Sequence, residues 1–239
     1  MNSPLLPGLP AVLDVPADLS AMGALLQLSS PALPVGAYSY SQGLESAIDR
    51  GIVGDAASAQ RWIAATLSLV LGRYEAPVWC RLRAAWDAQD RPRFASWNAE
   101  FIASRETREL RAETLQMGYS LRQLLKATDS AAVNEALPDD ELCFPAAHAA
   151  ASALWAVPPS LALYGYLYSW LENQVMTALK AVPLGQVAGQ KLLMAIRPQI
   201  GALVERAFAM RDDELSTQAP MLGLLSSQHE TQYSRLFRS

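Results

Sequence analysis

The sequence predicts an all-α fold: a single globular helical domain of about ten helices, with a flexible N-terminal extension and a C-terminal interaction tail. Three observations lead there. Alanine and leucine dominate, and β-branched residues nowhere cluster in alternating runs, so apolar positions recur with the helical period. Of the 239 residues 51% are hydrophobic and only 18% charged, enough apolar material for one real core. The helical pattern also resumes after its one polar break without a linker, which argues against a second domain.

At the N-terminus, residues 1–19 hold Pro4, Pro7, Pro10 and Pro16 with no Lys or Arg. A secretory signal needs a basic start and a clean apolar run, so a disordered extension is expected here. A first helix follows near 20–29. Next comes a connector, in which Pro31 and Pro34 fix their own φ and push the preceding residues out of the helical region. Its apolar Ala32, Leu33 and Val35 beside the cluster Tyr38-Ser39-Tyr40-Ser41-Gln42 suit a loop held against something. Ser39 or Ser41 is expected to cap a helix over 41–50 that stops at Gly51.

Further helices are expected near 56–73, 75–88, 92–104 and 105–127, with Asp55 as the N-cap of the first of these. Pro77, Pro92 and Pro159 each fit the first turn of a helix, where the missing N–H costs nothing. After a polar break at 128–142, helices are expected near 145–156, 160–181, 185–210 and 212–217. The helix at 105–127 begins with the mixed-sign run RETRELRAE, read as a solvated face, and carries an apolar stripe of Leu110, Met117, Leu121 and Leu124.

Residues 142–171 contain no Asp, Glu, Lys or Arg. Pro145 and the Pro158-Pro159 pair interrupt them, and no Lys/Arg cluster flanks them, so a core or an oligomer interface is expected rather than a membrane span. Within 160–182 one face reads Tyr164, Leu167, Tyr168, Leu171, Val175 and Val182. The other reads Ser169, Asn173, Thr177 and Lys180. Lys180 sits one turn from the helix end, where a cation relieves the dipole. It also stands alone in neutral surroundings, as a contact for an acidic partner would.

The ending Tyr233-Ser234-Arg235-Leu236-Phe237-Arg238 mixes aromatic, aliphatic and arginine residues. That is the composition of interface anchors, although such a segment can also fold back over its own core.

Several chemistries find no support. The run Gly185 to Lys191 has the wrong spacing for a phosphate-binding loop, and Gly36-Ala-Tyr-Ser39-Tyr misplaces the serine of a nucleophile elbow. His148 and His229 lack ligand-spaced companions, and Cys80 and Cys143 are isolated, so a core role is expected for Cys80, Cys143 and His148. No catalytic residue, metal ligand or cofactor is expected. With a net charge of -4 and no basic block, nucleic acid is not an expected partner. Two cysteines form no disulfide framework and fit a reducing, cytoplasmic setting. The competing reading is a small-molecule-binding or enzymatic helical domain with an aromatic pocket of Tyr164, Tyr168, Trp155 and His148.

Three stretches carry a family resemblance: LLQLSSPALPVGAYSYSQGLE, YSWLENQVMTALKAVPLGQVAGQKLL and HETQYSRLFRS. They are similar to the start, centre and end of the urease accessory protein UreF family. The resemblance implies a non-catalytic, all-helical homodimer that binds a UreD/UreH-type accessory protein. The pair would recruit a UreG-type GTPase that delivers nickel to apo-urease. By motif, Tyr233, Ser234, Arg235, Leu236, Phe237 and Arg238 would bind the UreD/UreH-type partner, together with Leu25, Leu26 and Leu28 of the first helix. Lys180 through Gln186 resemble a patch that faces the GTPase or the dimer seam, and Tyr38 and Tyr40 of the connector, in the first matched stretch, would also be partner-binding. The domain division implied is 1–19 extension, 20–218 helical domain and 219–239 partner-binding tail. The proline-rich extension has no clear counterpart in the family, and 128–142 matches none of its motifs.

Overall fold

The computed structural model describes residues 17–128, 137, 141–217 and 219–239. Most of the proline-rich extension and of the polar break at 128–142 lies outside the described residues. Helix α1 (Ala17–Leu28) leads into the connector, which holds one 3-10 turn at Ala37–Ser39 before the short α2 (Leu44–Asp49). Helix α3 (Ala56–Thr66), a π-helical stretch Leu67–Glu75 and α4 (Ala76–Asp87) follow. Then come α5 (Arg91–Ala103), α6 (Arg108–Thr128), α7 (Phe144–Leu154) and α8 (Pro159–Ala181). The chain ends with α9 (Gln186–Ile196), α10 (Gln199–Ala209), a 3-10 turn Asp212–Glu214 and α11 (Pro220–His229). Among the described residues no helix is long and apolar enough to cross a membrane.

The charge-free stretch supplies the centre of the core. Every residue of α7 from Pro145 to Ser152 is buried, packed between α4 and α6. Gly118 of α6 allows this. A β-carbon there would stand 1.9 Å from the Leu142 carbonyl oxygen, so only glycine lets the chain entering α7 come this close. The α6 stripe runs inward as its spacing implied, with Leu110, Met117 and Leu121 buried.

Four local expectations are corrected. The chain does not break near residue 74: α3, the π stretch and α4 are continuous. Pro77 has no N–H and its ring crowds the carbonyl one turn back, so the turn widens and Ala76 N–H bonds Leu71 O instead. The released Arg73 carbonyl accepts from Ser216 N–H at 3.2 Å. The expected helix 185–210 is two helices, because Pro198 cannot continue the first. The expected helix 212–217 is the single turn Asp212–Glu214, and α11 begins eight residues after Asp212 inside the presumed tail. Gly43, at φ 79°, a left-handed conformation that favours glycine, holds the N-cap position of α2, while the Ser41 hydroxyl still accepts from the first-turn Glu45 N–H at 3.3 Å. Asp55 does cap α3, exchanging hydrogen bonds with Ser58 in a capping box.

Candidate functional site

The polar stripe read along 160–182 is the line on which the connector rests. Ser169 Oγ donates to Ser29 O at 3.2 Å, Asn173 Nδ2 to Tyr40 O at 3.1 Å and Gln174 Nε2 to Ser41 O at 3.2 Å. Farther along the same stripe, Lys180 Nζ lies 6.0 Å from the Tyr38 ring and 5.6 Å from the Phe237 ring. The lysine therefore meets two aromatic faces within the molecule, not only the helix dipole.

Phe237 arrives because the segment 232–239 folds back as a strap between α2 and α6. Its backbone is bonded at several points. Arg238 N–H donates to Ser39 O at 2.7 Å and Ser41 N–H to Ser239 O at 2.6 Å, while the Ser41 hydroxyl also donates to Ser239 O. Glu45 of α2 accepts from the Leu236 and Phe237 amides at 2.6 and 3.0 Å. The pKa of the Tyr40 hydroxyl is raised, chiefly by burial and then by Glu113, against the lowering influence of the nearby Arg238 guanidinium.

Two carboxylates of α6 complete the seat. Glu109 Oε1 accepts from Arg235 Nη1 at 2.9 Å, and its Oε2 lies 2.7 Å from His229 Nδ1. The other nitrogen of His229 lies 3.0 Å from Glu45 Oε2, and the ring is fully buried. Glu113, also buried, accepts from Gln42 Nε2 at 2.6 Å and from the Ser239 hydroxyl at 2.8 Å. Burial raises the Glu113 pKa to about 7, against the lowering effect of those two bonds. Beneath this face is a cavity of about 230 Å³ whose lining includes Tyr38, Lys180, Glu113 and Tyr166. There the Tyr166 hydroxyl donates to Glu75 Oε1 at 2.5 Å, and Arg105 Nη1 to Glu75 Oε2 at 3.4 Å.

The structure thus brings Tyr38, Tyr40, Lys180, Phe237 and Arg238 together from three separate stretches. Tyr233, Ser234, Arg235, Leu236 and Arg238 are exposed on the docked strap, whereas Phe237 is buried. In α1, Leu26 is exposed, Leu25 is half-buried and Leu28 is buried. Gln186 is exposed at the start of α9. Sequence reasoning missed Glu45, Glu109, Glu113 and His229. The mixed-sign run RETRELRAE turns two of its glutamates inward, and the spacing of Glu109 and Glu113 at i and i+4 on the Leu110–Met117 side was the available signal.

Of the four residues of the competing reading's aromatic pocket, only His148 lines the cavity described above. His148 is buried in the core as expected, but beside Trp79, Phe144 and Tyr166 rather than Trp155, Tyr164 and Tyr168. Trp79 Nε1 donates to its Nδ1 at 3.2 Å, and burial pushes its pKa down to about 3. Cys80 and Cys143 are buried free thiols, each pushed up to about 12 by burial. Among the described residues no group of three or more His, Cys, Asp or Glu side chains is placed to hold a metal ion.

These features define an all-α protein with a docked C-terminal strap and an aromatic–basic face built around it. The UreF family model matches residues 53–197. A urease accessory protein UreF from Azoarcus sp. (strain BH72) is 53% identical over 223 residues, covering 90% of this chain and 94% of that one. One from Janthinobacterium sp. (strain Marseille) is 50% identical over 90% of this chain and 96% of its own. The bifunctional urease accessory protein UreEF of Bordetella bronchiseptica is 50% identical over 93% of this chain, which spans 53% of that longer protein. The chain belongs to the urease accessory protein UreF family.

Proposed function

We propose that this protein serves urease maturation as a non-catalytic scaffold in the cytoplasm. It bridges a UreD/UreH-type accessory protein to a UreG-type GTPase, which inserts nickel into apo-urease. Family membership supports the setting. The observation that carries the reading is the strap: its backbone is pinned at Ser39, Ser41 and Glu45, yet Tyr233 and Leu236 stand out in solvent. Ordering a segment has an entropic cost, and leaving large apolar groups exposed on it recovers little of that cost until a partner covers them. Met221 and Leu224 of α11 extend the same kind of surface.

Lys180, with Tyr38 beside it, forms the second contact and faces either the GTPase or a second copy of the chain. Exposed Val187 and Met194 on α9 support a homodimer as the working unit. Nickel is cargo of the assembly, consistent with buried, high-pKa thiols on this chain. The name of the Bordetella relative, one polypeptide with two urease accessory functions, supports action inside such an assembly. Co-purification of the full chain with a UreD/UreH-type protein tests the reading. Binding should be lost on combining Tyr233→Ala with Leu236→Ala, and retention at wild-type strength would refute the strap as the contact.

A further inference from the structure

We infer that His229 is a positioning residue that keeps the strap docked by bridging two carboxylates, one buried and one half-buried. Its ring lies between Glu45 of α2 and Glu109 of α6, at 3.0 and 2.7 Å, and among the described residues no other side chain forms a hydrogen bond to both. Those same carboxylates are the seat of the strap. Glu45 takes the Leu236 and Phe237 amides, and Glu109 takes Arg235.

The charge balance is specific. An imidazolium donates at both nitrogens, and a neutral ring donates at only one. His229 is also the last residue of α11, where a cation gains from the helix dipole. The charged groups facing the ring are Glu45 and Glu109, with Arg235 on the far oxygen of Glu109 and Glu230 next in sequence, whose carboxylate accepts from Arg108 N–H. Without the ring, two carboxylates in a water-poor pocket lose the one side chain that bridges them, and Arg235 is exposed and reaches only one of them. The least costly relief is to let water in by lifting the strap, whose one buried apolar anchor is Phe237.

The consequence is that strap docking and the α2–α6 spacing form one unit, set by a residue that never reaches the surface. That this unit then governs partner binding rests on the reading of the strap given above.

The test uses the full chain and measures hydrogen exchange at the Leu236 and Phe237 amides. In His229→Gln, protection at these two amides should fall by roughly tenfold or more while protection in α7 is kept. Adding Glu109→Gln, which removes one of the stranded charges, should restore most of the loss. A ring that acts only by filling space would not be rescued by a charge change at Glu109. Unchanged protection in His229→Gln, or a double variant as unprotected as the single, overturns the inference. Should His229→Gln fail to fold, the wild-type ring decides by nitrogen NMR: two protonated nitrogens support the clamp, and one bare nitrogen overturns it. Loss and rescue of protection with unchanged binding to a UreD/UreH-type protein would uphold the clamp and refute the strap as the binding element.

Discussion

The Ser239 hydroxyl donates to Glu113 Oε2 across 2.8 Å, seating the far end of the strap on a buried carboxyl group. Burial lifts that carboxyl from its ordinary 4.5 to about 7. The folded chain therefore keeps a proton that the unfolded chain gives up. Its contribution to stability is complete below 4.5, shrinks as pH rises and is gone above about 7. His148 acts in the opposite sense: burial lowers it from 6.5 to about 3, so its contribution is complete above 6.5 and is lost as pH falls. Glu113→Gln, a neutral isostere, isolates the first effect. Thermal unfolding should find the variant close to wild type near about pH 5 and more stable than wild type near about pH 8, by on the order of 3 kcal/mol or less. Equal stability at both pH values would contradict the assignment.

Neighbouring strap residues should separate stability from binding. Phe237→Ala removes a buried ring and should destabilise by about 2–3 kcal/mol, at or below the usual core cost because a short strap can relax. Tyr233→Ala alters an exposed side chain and should stay within about 0.5 kcal/mol of wild type in denaturant unfolding. Its effect is expected in co-purification with a UreD/UreH-type protein instead.

Lys180→Ala removes the ammonium between Tyr38 and Phe237. Exposed cation–π contacts are worth about 0.5–1 kcal/mol each, so the fold should survive with a small loss of stability. Urease activation in a reconstituted system should drop well beyond what that loss explains. Full activation would remove Lys180 from the contact surface.

Gly118→Ala tests the close approach of α6 to the entry of α7. With the Leu142 carbonyl 1.9 Å from the new β-carbon, backbone must move, and a loss above about 3 kcal/mol is expected in chemical unfolding.

Much of this architecture was legible in the sequence because helical period and capping are local. Asp55, the apolar stripe of α6 and the charge-free stretch of α7 each reported their surroundings directly. The site was half legible. The stripe Ser169–Asn173–Lys180 was visible but was read as a helix-end and partner contact rather than as the resting place of the connector, and the mixed ending was read as an interface anchor, with folding back over the core as the alternative. Hidden from the sequence was the pairing of Glu45 and Glu109 with His229, which lie 184 and 120 residues apart and meet only through the fold. RETRELRAE looked solvated because like and unlike charges alternate, while the covering of Glu109 and the burial of Glu113 depend on a strap that arrives from the other end. The widened turn before Pro77 was also missed, since a proline marks both helix starts and helix distortions.

The central claim is that this chain works by holding other proteins. Light scattering on a size-exclusion column, with the chain mixed with UreD/UreH-type and UreG-type proteins, tests it most directly. The account predicts one species containing all three proteins, with two copies of this chain, that is lost in the Tyr233→Ala, Leu236→Ala variant. Elution of this chain alone, at the mass of a monomer and indifferent to both partners, would contradict it.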